Sequence, residues 1–176
     1  EARGQRYCCA SRLVVLSKPG GGVRPIAVGE VPYRLFMSAV LTKAGSAIRG
    51  GLLPTQFGVR NPGGVEPIVR MVEHAVAGDV PCAQITCLDF SNAYNTLSRD
   101  VIAATVRDQY PQLYRLARWA YRGPAALFVD GRTPDGQYRA VELESREGVR
   151  QGDPLAPLLF SVGMRPFLEC LQDALG

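Results

Sequence analysis

The sequence predicts an α+β domain: an antiparallel sheet with helices packed on one face. Two observations carry this. Paired apolar runs, each pair separated by a Gly- or Pro-rich turn, occur twice, at residues 12–28 and 125–145. Between and after them lie segments whose apolar residues recur at helical spacing. Hairpins interleaved with helices fit a layered arrangement in which one face of the sheet is covered.

Taken in order, Arg12 to Leu16 and Val23 to Val28 form the first hairpin around Ser17-Lys18-Pro19-Gly20-Gly21-Gly22. Pro25 cannot donate to a ladder and so points to an edge strand. Val31 to Ile48 carries Leu35, Val40, Leu41, Ala44 and Ile48 at helical spacing, with Pro32 in the first turn and Gly50-Gly51 as its end. A Pro- and Gly-rich loop, 52–64, leads to an amphipathic helix from Val65 to Ala77, closed by Gly78. Next, from about Ala83 to Asp89, comes an apolar run that reads as a buried strand. Ser98 is a good N-cap for a helix to Gln109, with Val101, Ile102 and Val106 on its buried face. Pro111 opens another helix, to about Tyr121. The second hairpin runs from Ala125 to Asp130 and from Tyr138 to Ser145, around residues 131–136. Asp153 as N-cap and Pro154 at the first position start a long apolar helix at Leu155.

Composition narrows the function classes. The net charge of +4 is compatible with a nucleic-acid partner and too small to argue for one. Lys18 and Lys43 are the only lysines, so arginine, the better bidentate phosphate ligand, carries almost all the positive charge. An arginine bias of this kind can equally reflect GC-rich coding. Five cysteines, an odd number, come without a Cys-x-x-Cys pair, and His74 is the only histidine. That argues against zinc and against a disulfide framework, and for buried thiols in a reducing compartment. Leu155 to Leu168 is apolar but short and interrupted by Arg165, a core helix and not a membrane span. No leader-like apolar segment opens the chain, which begins at Glu1 without methionine and stops at Gly176 inside a helical pattern; a fragment of a larger chain is expected.

The chemistry concentrates at Asp89. A carboxylate ending a buried strand costs several kcal/mol or so unless it is paired. Two pairings are open: a turn cap leading to the helix at Ser98, or a divalent cation of the kind used in phosphate chemistry. One histidine and no serine elbow leave hydrolase chemistry without its parts.

Four stretches, in this order, resemble the fingers and palm of reverse transcriptases, in particular those of non-LTR retrotransposons. They are Leu16-Ser17-Lys18-Pro19-Gly20-Gly21-Gly22-Val23-Arg24-Pro25-Ile26, then Gln56-Phe57-Gly58, then Leu88-Asp89-Phe90-Ser91-Asn92-Ala93-Tyr94-Asn95. The last is Gly148-Val149-Arg150-Gln151-Gly152-Asp153-Pro154-Leu155-Ala156-Pro157-Leu158-Leu159-Phe160. The resemblance covers residue 12 to the C-terminus and implies fingers over about 1–80, a palm with interleaved segments over about 81–176, and no thumb. It implies an RNA-directed DNA polymerase that adds dNTPs to a primer 3′-OH on an RNA template, with two Mg2+ ions or Mn2+ in their place. It also implies a larger polyprotein, with intracellular localisation in nucleus or cytoplasm. Asp89 would ligate both metals, with the Phe90 carbonyl helping one of them. Backbone N–H groups of Asn92 and Ala93 would meet the triphosphate. Tyr94 would lie under the sugar and exclude a 2′-hydroxyl by collision. Lys18 and Arg24 would close on the incoming phosphates, while Gln151 and Gly152 would sit against the templating pair. Arg34 fits either a template contact or a solvent-facing charge. Asp153 caps its helix and holds no metal.

The family also carries an aromatic-x-Asp-Asp hairpin, and no Asp-Asp pair occurs in these 176 residues. This chain alone is therefore expected not to polymerise DNA. The alternative is a retroelement remnant that binds nucleic acid or serves a structural role without catalysis.

Overall fold

The computed structural model describes residues 2–79, 84–132 and 135–175. Its helices and strands run in the order α1 (Ala2–Cys8), β1 (Ser11–Ser17), β2 (Val23–Gly29), α2 (Val31–Lys43), α3 (Gly45–Leu52), α4 (Val65–Ala77), α5 (Ala93–Thr96), α6 (Arg99–Gln109), α7 (Pro111–Tyr121), β3 (Ala125–Arg132), β4 (Tyr138–Ser145) and α8 (Ala156–Leu175). Both hairpins form where the sequence places them. They do not, however, make an antiparallel sheet. The strand order is β2-β1-β3-β4, and the two hairpins join through a parallel pairing of β1 with β3 at Ser11–Leu127 and Arg12–Phe128. A hairpin signal is local and fixes only the partner across its own turn; how two hairpins meet is decided by long-range packing. Pro25 does lie on an edge strand, β2.

The core gathers Met37 and Leu41 from α2, Ile48 and Leu52 from α3, Ile102 and Val106 from α6, Leu113 and Ala117 from α7, and Leu158, Leu159 and Val162 from α8. One long helix expected over 31–48 is two, broken at Ala44. Gly50 and Gly51 lie within α3 and do not end it. Gly51 answers to packing: a Cβ there would run into the Tyr110 ring, whose hydroxyl donates to the Ile48 carbonyl. On α6 Ser98 accepts from the Val101 N–H as a cap, but Val101 itself is 39% exposed while Thr105 joins Ile102 and Val106 inside.

The cysteines depart from expectation. Cys9 is buried, and burial pushes its thiol up to about 11. Cys8, Cys87 and Cys170 are exposed and free, and Cys82 lies outside the described residues. Among the described residues no helix is long and apolar enough to cross a membrane.

The largest correction concerns residues 84–90. They form no strand and are exposed throughout, including Ile85, Leu88 and Phe90; Ala83, the start of the expected strand, lies outside the described residues. An apolar run has the capacity to be buried, but a strand also needs a neighbour to take its N–H and C=O groups. No strand among the described residues pairs with it. Helix α4 shares this condition: it forms as predicted and closes at Gly78 with φ +81°, yet none of its residues is buried.

Candidate nucleic-acid and nucleotide site

Residues 148–152, between β4 and α8, tie the separate motifs together. Four contacts do this. The Val149 N–H donates to the Tyr94 carbonyl at 2.6 Å. Gly148, at φ +56°, presses so closely on the Tyr94–Asn95 backbone that a Cβ would collide with it. On the other side, the Ala27 N–H donates to the Gln151 carbonyl at 2.6 Å. Ala27 lies in the edge strand β2, so this bond uses an N–H that the sheet leaves free. Gly152, at φ +102°, sits under the same strand, where a Cβ would lie 2.7 Å from the Ala27 carbonyl oxygen. Only glycine meets both the backbone angle and the close approach.

What anchors this loop is a buried network. Asp153 Oδ2 accepts from the Tyr33 hydroxyl, the Tyr121 hydroxyl and Arg150 Nη2, each at 2.7 Å, and Oδ1 accepts from the Leu155 N–H at 2.9 Å. The Arg150 and Asp153 side chains are each 2% exposed. Arg150 lies over the Tyr121 ring at 4.4 Å. Burial first, and then the Asp153 charge, hold the Tyr33 hydroxyl well above the usual tyrosine range. Burial also raises Tyr121. For Arg150 burial works against the charge, but the Tyr121 and Asp153 oxygens outweigh it and hold the guanidinium above its ordinary value. The helix-cap role expected for Asp153 is present in the Leu155 bond; the two tyrosines and the arginine were not foreseen.

Arg99 is a second frame residue that motif reading passes over. Its guanidinium donates to the carbonyls of Gly148 at 2.9 Å, Glu147 at 3.1 Å, Gly123 at 3.2 Å and Ser145 at 3.2 Å, and to the Ser145 hydroxyl at 2.9 Å. Carbonyls, not a carboxylate, satisfy it. Burial and then the nearby Arg150 charge lower it to about 10.

The expected site residues fall around this frame. Tyr94 is half-buried and stacked on Phe160, with ring centroids 4.7 Å apart and planes 14° apart, and burial raises its hydroxyl above the usual range. Asn92 adopts the left-handed conformation at φ 53°, and its side-chain oxygen accepts from the Asn95 amide at 2.7 Å. Ala93 opens the short helix α5. Phe90 meets Phe167 edge-on at 5.5 Å. Asp89 is exposed, with no hydrogen bond or ion pair to any described residue. It is therefore not a turn cap. Lys18 and Arg24 are exposed at the hairpin tip, and no hydrogen bond or ion pair joins either side chain to another described residue. Gln56 folds back so that its side-chain oxygen accepts from the Gly58 N–H at 2.8 Å.

A divalent metal requires more than this stretch supplies. Among the described residues no three His, Cys, Asp or Glu side chains are grouped to hold a metal ion. Asp89 and the Phe90 carbonyl are a partial donor set and do not by themselves fit a two-metal centre.

No family model matches the chain. Individual proteins do. The 132 kDa protein of the retrotransposable element SLACS, from Trypanosoma brucei gambiense, is 32% identical over 169 residues, 93% of this chain and 13% of that protein. A retrovirus-related Pol polyprotein from a type-2 retrotransposable element of Drosophila melanogaster is 30% identical over 177 residues, 92% of this chain and 15% of its own. One from a type-1 element of Nasonia vitripennis is 25% identical over 186 residues, 98% of this chain and 17% of its own. The chain thus spans between 13% and 17% of the length of these curated relatives. Across nearly all of its residues this chain is a homologue of the polyproteins of non-LTR retrotransposable elements, which supports its being a reverse-transcriptase-related fragment.

Proposed function

We propose that this segment contributes the nucleotide-handling part of an RNA-directed DNA polymerase, made of fingers over about 1–80 and part of a palm over about 81–176. The observation that carries the reading is the convergence of three distant motifs on residues 148–152: the Tyr94 turn through Val149, the basic hairpin through Ala27, and the Gln151-Gly152 pair itself. In the reaction a primer 3′-hydroxyl attacks the α-phosphorus of a dNTP opposite an RNA template, and pyrophosphate leaves in line.

Each residue has a role consistent with its setting. Lys18 and Arg24, exposed and without an ion-pair partner among the described residues, meet the phosphates. The N–H groups of Asn92 and Ala93 take the triphosphate where Asn92 turns left-handed. The Tyr94 ring, its plane set by Phe160, stands under the sugar and leaves no room for a 2′-hydroxyl. Gln151 and Gly152 lie flat against the templating pair, glycine permitting the approach. Asp89 and the Phe90 carbonyl contribute to binding Mg2+, or Mn2+, alongside carboxylates outside the described residues.

The test is primer extension on an RNA template by the retroelement protein that carries this segment. Asp89→Asn is expected to abolish incorporation at unchanged folding; retained synthesis would remove Asp89 from the site. Tyr94→Ala is expected to admit ribonucleotides, and unchanged sugar selectivity would leave it a packing residue. The 176 residues alone hold no Asp-Asp pair and are expected to incorporate nothing. The second reading, a nucleic-acid-binding remnant without catalysis, rests on the missing Asp-Asp pair in these 176 residues. It would be favoured if the larger protein also failed to extend a primer while still binding one.

A further inference from the structure

A second surface of this chain has the chemistry of a nucleic-acid site. Between α2 and α7 lies a groove of about 530 Å3, walled by Tyr33, Phe36, Leu116 and Trp119. That volume is within the range of sites that hold groups the size of a nucleoside. Two of its aromatic rings are open to solvent: Phe36 is 57% exposed and Trp119 40% exposed. Tyr33 is fixed from behind by its bond to Asp153 and stands 6.3 Å from Trp119, the planes inclined by 31°. The aromatic wall is therefore rigid on one side and free on the other.

The two helices that wall it carry charge of one sign. Helices α2 and α7 contain no Asp or Glu. They carry Arg34, Lys43, Arg115 and Arg118, and Arg122 caps α7. Arg115 precedes Trp119 by four residues and Arg122 follows it by three, so the two guanidinium groups flank the indole, one turn to either side, on a continuous helical face. Neither has an ion-pair partner among the described residues, whereas Arg70 pairs with Glu66 and Arg165 with Glu169. The one acid at the groove is Glu30, at the N-terminal end of α2.

We infer that this groove binds single-stranded nucleic acid, stacking bases on Trp119 and Phe36 while Arg115 and Arg122 hold the phosphates to either side. Exposed planar rings between unpaired arginines suit a strand whose bases are splayed out, because every base offers a π-face and every linkage an anion. An acidic peptide would use the arginines and leave the rings idle. A second copy of this chain would bring like charge against like. The inference does not depend on polymerase activity.

Trp119 is the only tryptophan, so the site reports on itself. The experiment titrates the 176-residue chain with a fluorescein-free oligouridylate of about ten nucleotides and follows tryptophan emission. A labelled copy of the same RNA supplies anisotropy in parallel. Saturable quenching is expected. The double variant R115E/R122E, both surface changes, should weaken binding about tenfold or more and flatten the salt dependence by about 1.4 in log K per log salt, the loss of two phosphate contacts on a single strand. Trp119→Ala should weaken anisotropy-detected binding about tenfold, and Trp119→Phe should restore most of it. Anisotropy change without quenching, or binding abolished by K18E/R24E and untouched by R115E/R122E, would place the strand at the hairpin and overturn the inference. So would a blue shift that grows with protein concentration and is insensitive to RNA, which would assign the groove to self-association.

Discussion

Asp153→Asn separates two accounts of one side chain. As an N-cap alone, Asp153 could be replaced by Asn at almost no cost, because Asn and Asp cap helices about equally well. The structure gives it a second task. Its Oδ2 accepts three hydrogen bonds at 2.7 Å from Tyr33, Tyr121 and Arg150, and both members of the ion pair are 2% exposed. Removing the negative charge leaves Arg150 buried without a counterion, a change that costs about 3–5 kcal/mol when one partner of a buried pair is lost. Against a total stability of about 5–15 kcal/mol for a domain, that is a large share. Urea unfolding followed by Trp119 fluorescence and far-ultraviolet dichroism measures it directly. Tyr33→Phe removes one hydrogen bond to the same carboxylate, with an expected cost of about 1.5–3 kcal/mol. The double variant should cost less than the sum, since both act on one oxygen. A stability for Asp153→Asn within about 0.5 kcal/mol of the parent would show that the cap is all that matters and that the network is incidental.

Three further outcomes follow from the same frame. Gly152→Ala sets a Cβ 2.7 Å from the Ala27 carbonyl oxygen at φ +102°, and should cost about 1–3 kcal/mol and speed hydrogen exchange at the Ala27 amide; an unchanged exchange rate there would mean that the loop and β2 do not need each other. Arg99→Lys replaces a planar fork that meets five carbonyls with three donors at one point, and should cost about 2–3 kcal/mol and loosen the Val149 amide bonded to Tyr94; protection of that amide equal to the parent's would refute the coupling. Stability should fall as pH rises from about 9: Cys9, raised from 9.0 to about 11, and Tyr33 and Tyr121, both raised above 10.0, keep their protons in the folded state after the unfolded chain has released them. Arg99, lowered to about 10, works the other way and returns one proton's worth. Tyr94 and Tyr110, whose hydroxyls burial also raises, add to the fall, so the net change above pH 10 is a loss of stability. Urea midpoints that stay level from pH 8 to 10.5 would contradict this.

Elements whose signals are local were legible in the sequence. The hairpin over 12–28 needs a Gly-rich turn and two apolar runs, and all of its information lies within that stretch. Ser98 and Pro111 mark helix starts by rules that act within one turn. Long-range pairing was not legible. Nothing in residues 11–12 announces a parallel partner at 127–128, and nothing in 84–90 says that its apolar side chains face solvent here. Gly50-Gly51 misled because a glycine reads as a stop, whereas Gly51 is there to admit the Tyr110 ring.

The candidate site divides along the same line. Lys18, Arg24, Asp89, Tyr94 and Gln151 could be singled out because they stand in motifs that resemble a known family, and their chemical types stand out in a string of letters. The residues that hold them in place work through features the letters do not display. Gly148 acts by lacking a Cβ against the Tyr94–Asn95 backbone. Gln151 grips the hairpin by its main-chain carbonyl, a group every residue possesses. Arg99 hydrogen-bonds to carbonyls and a hydroxyl and lies over the Tyr121 ring, so no oppositely charged residue betrays its position. Asp153 was visible as a cap because capping is a local act. Its larger role depends on Tyr33 and Tyr121, 120 and 32 positions away, and on Arg150 filling the space between them. The convergence at 148–152 is thus a property of the fold, built from backbone groups and small residues, on which a chemically conspicuous set of side chains is mounted.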